Sequence, residues 1–234
     1  EVPQPLYDLG VRAGDVKYFD YNEDGDISDA DRMNVGKAIP DFYGGITSNF
    51  SYKGFDLSLF GQFSVGGKVM SAWRGVNGSE GTDHLGLALS NVKVNDRGES
   101  VEQYFNVSKE VANGYWRGEG TSNTIPRPVR IGVHTGYDYD YNVQTSTRYL
   151  EDASYFKLKT VTLGYTLPES VVKKLRVNSL RVYVSADNLL TLTKYSGYDP
   201  ETSFSGSPGD SNYGVDFGLQ PVLRTFIFGL NLNF

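Results

Sequence analysis

Thr225-Phe226-Ile227-Phe228-Gly229-Leu230-Asn231-Leu232-Asn233-Phe234 are the last ten residues of the sequence. Counting back from Phe234, every second position is apolar: Leu232, Leu230, Phe228 and Phe226. The positions between are Asn233, Asn231 and Gly229, with Ile227 the exception. A β-strand turns successive side chains to opposite faces, so this pattern predicts one greasy face and one wet face. In water such a strand is an aggregation-prone edge. In a membrane barrel it faces lipid on one side and lumen on the other.

Composition supports many short strands. The chain has 234 residues with 17 Tyr, 13 Phe and 27 Gly. Its mean hydropathy is −0.38, and the sequence contains no apolar run long enough for a membrane-spanning helix. Alternating strands average their hydropathy away, so this excludes helices only. The formal charge of −6 argues against nucleic acid. With no cysteine there is neither a disulfide nor thiolate chemistry. Glu1-Val2-Pro3-Gln4-Pro5 does not read as a leader peptide.

Working outward, five segments read as strands: Tyr43–Tyr52, Phe55–Val65, Tyr155–Leu167, Leu180–Leu190 and Val222–Phe234. Lys53-Gly54 between the first two fits a two-residue hairpin turn. That turn sets the register. Tyr52 faces Phe55, Phe50 faces Leu57, Ser48 faces Leu59, Ile46 faces Gly61 and Gly44 faces Phe63, while Ser51 meets Asp56, Asn49 meets Ser58 and Gly45 meets Gln62. About ten residues per strand suffice to cross a bilayer at a tilt. Asp56, Ser58, Gln62, Arg181, Tyr183 and Asp187 fall on the polar, luminal face. The connections alternate: Lys53-Gly54 is short, Gly66 to Asp152 very long, Pro168 to Ser179 moderate, Thr191 to Pro221 long. Long loops outside and short turns in the periplasm give that rhythm. Glu169–Lys174 suits a helical turn, and Gly206–Gly218 reads as loop.

Asp20-Tyr21-Asn22-Glu23-Asp24-Gly25-Asp26-Ile27-Ser28-Asp29-Ala30-Asp31 has the spacing of a twelve-residue calcium loop. Asp20, Asn22 and Asp24 place oxygens at loop positions 1, 3 and 5, and Gly25 allows the sharp turn. Asp26 offers its backbone carbonyl, Ser28 acts directly or through water, and Asp31 stands where the standard loop has Glu. The expectation is a structural Ca2+ site. Its flanks do not read as two long helices, which argues against a helix-loop-helix sensor.

No catalytic constellation emerges. His84 and His134 are far apart, with no second His or Cys at metal spacing. Gly78–Gly81 and Gly118–Gly120 do not link a strand to a helix, as a phosphate cradle requires. Tyr137, Tyr139, Tyr141, Tyr195, Tyr198, Phe204 and Tyr213 fall in loops, where they stack on sugars, pack on a partner protein or pack on one another.

Several blocks occur in a specific order: Gly14-Asp15-Val16-Lys17-Tyr18-Phe19-Asp20 before the acidic loop, Gly36–Gly45, Phe50–Ser58, Gly118–Asn123 with Ile125-Pro126-Arg127, Tyr155–Pro168, Leu180–Leu189 and Tyr198-Asp199-Pro200-Glu201. Together they resemble the C-terminal part of a SusC/RagA-type TonB-dependent outer-membrane transporter of Bacteroidetes. The resemblance implies an all-β chain: about five C-terminal strands of a large antiparallel transmembrane β-barrel with long extracellular loops. It implies residues 1–42 as an extracellular loop carrying the EF-hand-like calcium loop, and 43–234 as the strands and loops of the barrel. The family imports oligosaccharides or peptides, with a SusD-type surface lipoprotein as lid and TonB as energy source. The implied location is the outer membrane of a Gram-negative bacterium, embedded in lipid, loops facing outside. The plug and other strands would belong to an N-terminal remainder of the same transporter. No enzyme activity is implied. The rival readings are a secreted, calcium-stabilised β-sandwich carbohydrate-binding module and an extracellular hydrolase domain.

Overall fold

In the computed structural model, the described residues are 2–8, 10–72, 88–94, 97, 99–104, 109–131, 141–201 and 213–234. The strands in chain order are β1 (Phe42–Tyr52), β2 (Phe55–Val65), β3 (Lys68–Ser71), β4 (Ala88–Val94), β5 (Ser100–Tyr104), β6 (Val129–Ile131), β7 (Leu150–Asp152), β8 (Tyr155–Thr166), β9 (Ser179–Thr193), β10 (Val215–Asp216) and β11 (Thr225–Asn233). The described residues also form the short α-helices α1 (Gln4–Asp8), α2 (Lys109–Gly114) and α3 (Glu169–Val172), besides single 3-10 turns. Contacts divide the chain into two compact units, residues 1–36 with 70–150, and residues 37–69 with 151–234.

The second unit is built on a five-stranded antiparallel sheet in the order β1-β2-β8-β9-β11. The hairpin register is the one that the sequence dictates: Tyr52 opposite Phe55, Phe50 opposite Leu57, Ser51 opposite Asp56 and Gly45 opposite Gln62. Lys53 and Gly54 both take left-handed backbone angles, φ 46° and 89°. That is the primed turn whose twist matches the twist of its strands. A Cβ on Gly54 would stand 2.8 Å from the Thr166 carbonyl oxygen, while the Gly54 carbonyl accepts the Thr166 N–H at 2.8 Å. The turn therefore also fixes where β8 begins its pairing.

Register carries one apolar face across all five strands. Phe50, Leu57, Leu163, Val184 and Phe228 lie in successive register, with Leu59, Val161, Ala186 and Phe226 alongside. This face is open: Phe228 is 82% exposed and Leu230 61%. An apolar band of this extent is suited to lipid. Strands of 11, 11, 12, 15 and 9 residues meet the bilayer requirement. The opposite face carries Asp56, Ser58, Gln62, Thr160, Thr162, Arg181 and Asp187, with Phe60 and Ile227 as apolar members.

A bulge in β8 maintains this division. In an unbroken strand Lys157 and Lys159 would share the face of Val161, Leu163 and Tyr165. Lys159 is the extra residue between the pairs Phe60–Thr160 and Gly61–Leu158. One inserted residue inverts the phase of what precedes it. Phe156 and Leu158 join the apolar face, and Lys157 moves to the polar one.

The long connections contain structure that the sequence pattern did not disclose. β3, β4, β5, β6 and β7 lie within the Gly66–Asp152 connection, and β10 within the last loop. β10, β3 and β7 form one small sheet, and β5, β4 and β6 another, with β4 parallel to β6. These strands have two to seven residues, too few to impose a readable period. Val69, Ala153 and Tyr195 form a small buried cluster in the second unit. α3 lies where a helical turn was expected.

Two outcomes follow. Leu230→Arg places a charge on the lipid face and costs about 2–4 kcal/mol. Asn231→Glu, one residue away on the other face and opposite Arg181, costs little. Unfolding of the full-length protein from lipid vesicles, followed by heat-modified gel migration, will separate the two. Gly54→Ala combines a left-handed φ with a backbone contact and will cost about 1–2 kcal/mol in the same assay. An unchanged midpoint would mean that the turn does not set the register.

Candidate functional site: a luminal wall, a loop clamp and an acidic loop

On the polar face, side chains bond across neighbouring strands. Arg181 on β9 reaches over β8 and grips Asp56 on β2, Nε to Oδ1 at 2.9 Å and the second nitrogen to Oδ2 at 2.5 Å. Gly164 lies directly beneath. A Cβ there would fall 2.3 Å from the guanidinium and 2.5 Å from Asp56 Oδ1. Gly229 likewise leaves room for the Tyr183 ring, which a Cβ would meet at 2.1 Å. Further along, Thr160 donates to Asp187 at 3.0 Å, Thr162 and Ser185 share a hydrogen bond of 2.8 Å, and Gln62 donates to the Tyr155 hydroxyl at 3.2 Å. These bonds tie polar side chains to one another across neighbouring strands of that face, and a polar inner face is what a barrel wall presents.

At the start of β8, the bulge aims two lysines at one acidic segment. Lys157 is buried, its ammonium paired with the buried Asp199 carboxylate and with Glu201 at 2.8 Å. Lys159 holds the same Glu201 at 2.6 Å. Asp199 also accepts the Glu201 N–H at 2.9 Å, and Pro200 is fully buried. Burial works to raise the Glu201 carboxyl, and the two ammoniums overcome it, holding it below its ordinary value of 4.5. Tyr198-Asp199-Pro200-Glu201 is thus a clamp that pins a loop to the wall. Spacing could not reveal it, because Lys157 and Asp199 are 42 residues apart. Nearby, the buried Tyr195 hydroxyl donates to the buried Asp216, which also accepts the Gly218 N–H at 2.8 Å.

In the first unit, Gly14-Asp15 and Ile125-Pro126-Arg127 meet. Arg127 holds Asp15 through two nitrogens at 2.6 and 2.9 Å. Buried Asn142 donates to Asp15 at 2.8 Å and to the Arg127 carbonyl at 2.9 Å, and accepts the Val16 N–H at 2.8 Å. The Trp116 ring covers Gly14, where a Cβ would stand 2.2 Å away. Tyr18 donates to the Tyr141 carbonyl at 2.5 Å, with the two rings edge to face at 4.9 Å. An open cavity of about 830 Å³ follows, lined by Tyr18, Phe19, Ile27, Met33, Met70 and Tyr141 with a rim of Asp, Ser and Thr side chains.

The acidic loop is an exposed, closed turn. Glu23 and Gly25 take left-handed φ of 59° and 86°. Asp20 accepts the Asp24 and Gly25 N–H groups at 3.2 and 2.8 Å, and Asp24 accepts that of Asp26 at 2.9 Å. Asp31 closes the loop, accepting the Tyr21 and Ser28 N–H groups at 2.8 and 2.7 Å. The Ser28 N–H is the main cause that holds the Asp31 carboxyl below the usual carboxylate range, with Tyr21, Asn22 and the Asp20 side chain adding to it against partial desolvation. Ser28 caps the turn at Asp29–Asp31 through its hydroxyl. Asn22 donates to Asp24 at 2.7 Å, and Asp26 accepts the Ile27 N–H. The six expected ligands are therefore drawn into one loop, their oxygens turned to its own amides. Among the described residues, no three His, Cys, Asp or Glu side chains converge as a metal cluster. The donor chemistry is uniformly hard oxygen, the type that calcium takes.

Of the loop aromatics, Tyr141 and Tyr195 are buried in these networks, whereas Tyr198 is exposed. Tyr137, Tyr139 and Phe204 lie outside the described residues, as do His84, His134 and Gly78–Gly81.

A five-stranded sheet with one apolar face for lipid and one polar face is a section of a transmembrane β-barrel wall. No family model matches the chain. Over 225 residues, 94% of the chain, it is 33% identical to TonB-dependent receptor P3 of Formosa agariphila. It is 32% identical over 223 residues to receptor P26 of the same organism, and 26% identical over 235 residues to TonB-dependent receptor SusC of Bacteroides thetaiotaomicron. The chain spans about a fifth of the length of these relatives, 19% of receptor P3 and of SusC and 20% of P26. Among solved structures, the RagAB peptide importer in its closed-closed state superimposes with TM-score 0.60 at 24% identity, over 90% of this chain and 19% of that one. The open-open state gives 0.55 at 22% identity, with the same coverage. The chain belongs to the SusC/RagA-type TonB-dependent receptors, outer-membrane proteins, and its sheet corresponds to the C-terminal part of their barrel.

Lys157→Met leaves Asp199 buried without its cation and will destabilise the clamp by about 3 kcal/mol. Hydrogen exchange across residues 194–201 will rise while exchange in β9 stays protected. The sign of the pH effect follows from Glu201. Its folded value is lowered, so its contribution is complete above 4.5 and is lost as pH falls through the folded value. Acidification of the wild type will thus reproduce the exchange pattern of the variant.

Proposed function

We propose that this chain forms part of the wall and the external mouth of a TonB-energised importer for oligosaccharides or peptides. The observation that carries this reading is the two-faced sheet, matched to TonB-dependent receptors over 94% of the chain. Transport of this kind asks no bond-breaking chemistry of these residues. The luminal wall from Asp56 to Asp187 faces the passage, and the N-terminal remainder of the transporter supplies plug, TonB contact and remaining strands. Lys53-Gly54 and the α3 connection face the periplasm, and the longer loops face outside with residues 1–42 among them. A SusD-type surface lipoprotein closes over those loops as a lid. Calcium is proposed to bind Asp20, Asn22, Asp24, the Asp26 carbonyl, Ser28 and Asp31. The hard-oxygen donor set and the left-handed Gly25 support it.

Detergent extraction of the native membrane, followed by mass spectrometry of companion chains and by uptake of labelled oligosaccharides and peptides, tests the reading. A co-purifying surface lipoprotein and TonB-dependent uptake of one cargo class are expected. A water-soluble protein without either would overturn it. For the metal, Asp24→Ala will weaken calcium binding at least tenfold and make residues 14–40 protease-sensitive, leaving the heat-modified migration of the barrel intact. Equal calcium affinity in variant and wild type would remove the metal from this loop.

A further inference from the structure

The end of the sheet that holds the tight turn is basic. Lys53-Gly54 and the α3 connection lie at that end together, because the Thr166 N–H bonds the Gly54 carbonyl and the Phe55 and Tyr165 rings meet at 4.5 Å, tilted by 37°. Residues 53–56 and 166–181 hold five cations, Lys53, Lys173, Lys174, Arg176 and Arg181, against Asp56 and Glu169. Both acids are engaged: Asp56 pairs with Arg181, and Glu169 with Lys173 at 2.9 Å. That leaves Lys53, Lys174 and Arg176 without an ion pair among the described residues. The Lys53 ammonium lies 5.2 Å from the Tyr52 ring centroid. Between the cations stand apolar side chains. Val171 and Leu175, four apart on one face of the turn that continues from α3, are 39% and 54% exposed, while the adjacent Val172 is buried.

Tyr52, Phe55 and Tyr165 pair in register at the last rungs of the apolar face, at the end of the sheet that holds both turns. At that level a barrel leaves hydrocarbon for headgroups, and aromatic rings mark the boundary. Beyond it, an anionic leaflet attracts each nearby Lys or Arg by about fivefold in binding constant. Exposed apolar residues interleaved with unpaired cations fit a phosphate-bearing surface with acyl chains beneath it.

We propose that Lys53, Lys174 and Arg176, with Val171 and Leu175, bind the headgroups of anionic glycerophospholipids in the periplasmic leaflet. They thereby tether the strand-joining end of this wall at a fixed depth. The proposal rests on the periplasmic placement of the short turns. The three cations lie around the turns rather than in the lumen-facing row, so the bound lipid is annular and exchanges with the leaflet.

The test uses the full-length transporter in nanodiscs of phosphatidylcholine with graded phosphatidylglycerol, and counts retained lipids by native mass spectrometry. The triple variant K53Q/K174Q/R176Q is expected to hold phosphatidylglycerol at least tenfold more weakly, with phosphatidylcholine unchanged. Equal retention by variant and wild type would overturn the proposal. Leu175→Trp, with all cations in place, gives a second readout. Brominated phosphatidylglycerol should quench its emission more than brominated phosphatidylcholine does. Absence of quenching by either lipid would overturn the proposal and point to a protein occupant of the patch. Placement is checked separately by Lys174→Cys. Labelling by an impermeant maleimide only after outer-membrane permeabilisation supports it. Labelling on intact cells would refute the periplasmic placement itself, and the proposal with it.

Discussion

Strand register is the constraint on which this wall depends. A β-strand has a side-chain period of two, so a slip of one residue exchanges every lipid-facing group with every luminal one. In hydrocarbon the error is severe, because Asp56, Arg181 and Asp187 would be turned into lipid while Phe228 and Leu230 faced water. The Lys53-Gly54 turn prevents this at its source, with two left-handed residues that admit one pairing of β1 with β2. The Thr166 N–H on the Gly54 carbonyl then passes the register to β8. From there β9 and β11 inherit it, and the apolar row continues from Phe50 to Phe228.

A register fixed at one end of the sheet need not suit the other. The Lys159 bulge resolves that conflict. Toward the turn, β8 must show Val161, Leu163 and Tyr165 to lipid. Toward its start, it must deliver Lys157 to the loop carrying Asp199 and Glu201. One extra residue permits both at the cost of one interrupted ladder step. The matching irregularity on β9 falls at Asn188, whose φ of 53° is tolerated more readily by Asn than by most side chains. The clamp and the membrane face are therefore linked by geometry. Without the phase change, Lys157 would point into lipid unpaired.

The legibility of the chain follows from the same physics. Strands long enough to cross a bilayer must alternate for nine or more residues, so β1, β2, β8, β9 and β11 and the hairpin register can be read directly. Their edges shift only slightly: β9 continues to Thr193 beyond Leu190, and β11 begins at Thr225 rather than Val222. The short strands of the connections are paired by tertiary neighbours and leave no such trace. Ion pairs are equally silent. Asp15 and Arg127 are 112 residues apart, and each alone looks like a surface charge. The acidic loop was visible because its residues are local, whereas the Tyr198-Asp199-Pro200-Glu201 clamp was visible as a block and opaque as a mechanism.

The distribution of glycines shows how the wall accommodates large polar side chains. Gly164 lies beneath the Arg181–Asp56 pair, and Gly229 beneath the Tyr183 ring. A strand normally loses stability at glycine, since there is no side chain to pack. Here the neighbour's side chain occupies the space, lying flat on the sheet instead of standing into the lumen. A guanidinium held flat by two bonds to one carboxylate presents a smooth surface, and so does a ring covering bare backbone. At these two places the face is covered by side chains held close to the backbone, and the Arg181 and Asp56 polar atoms are engaged with one another.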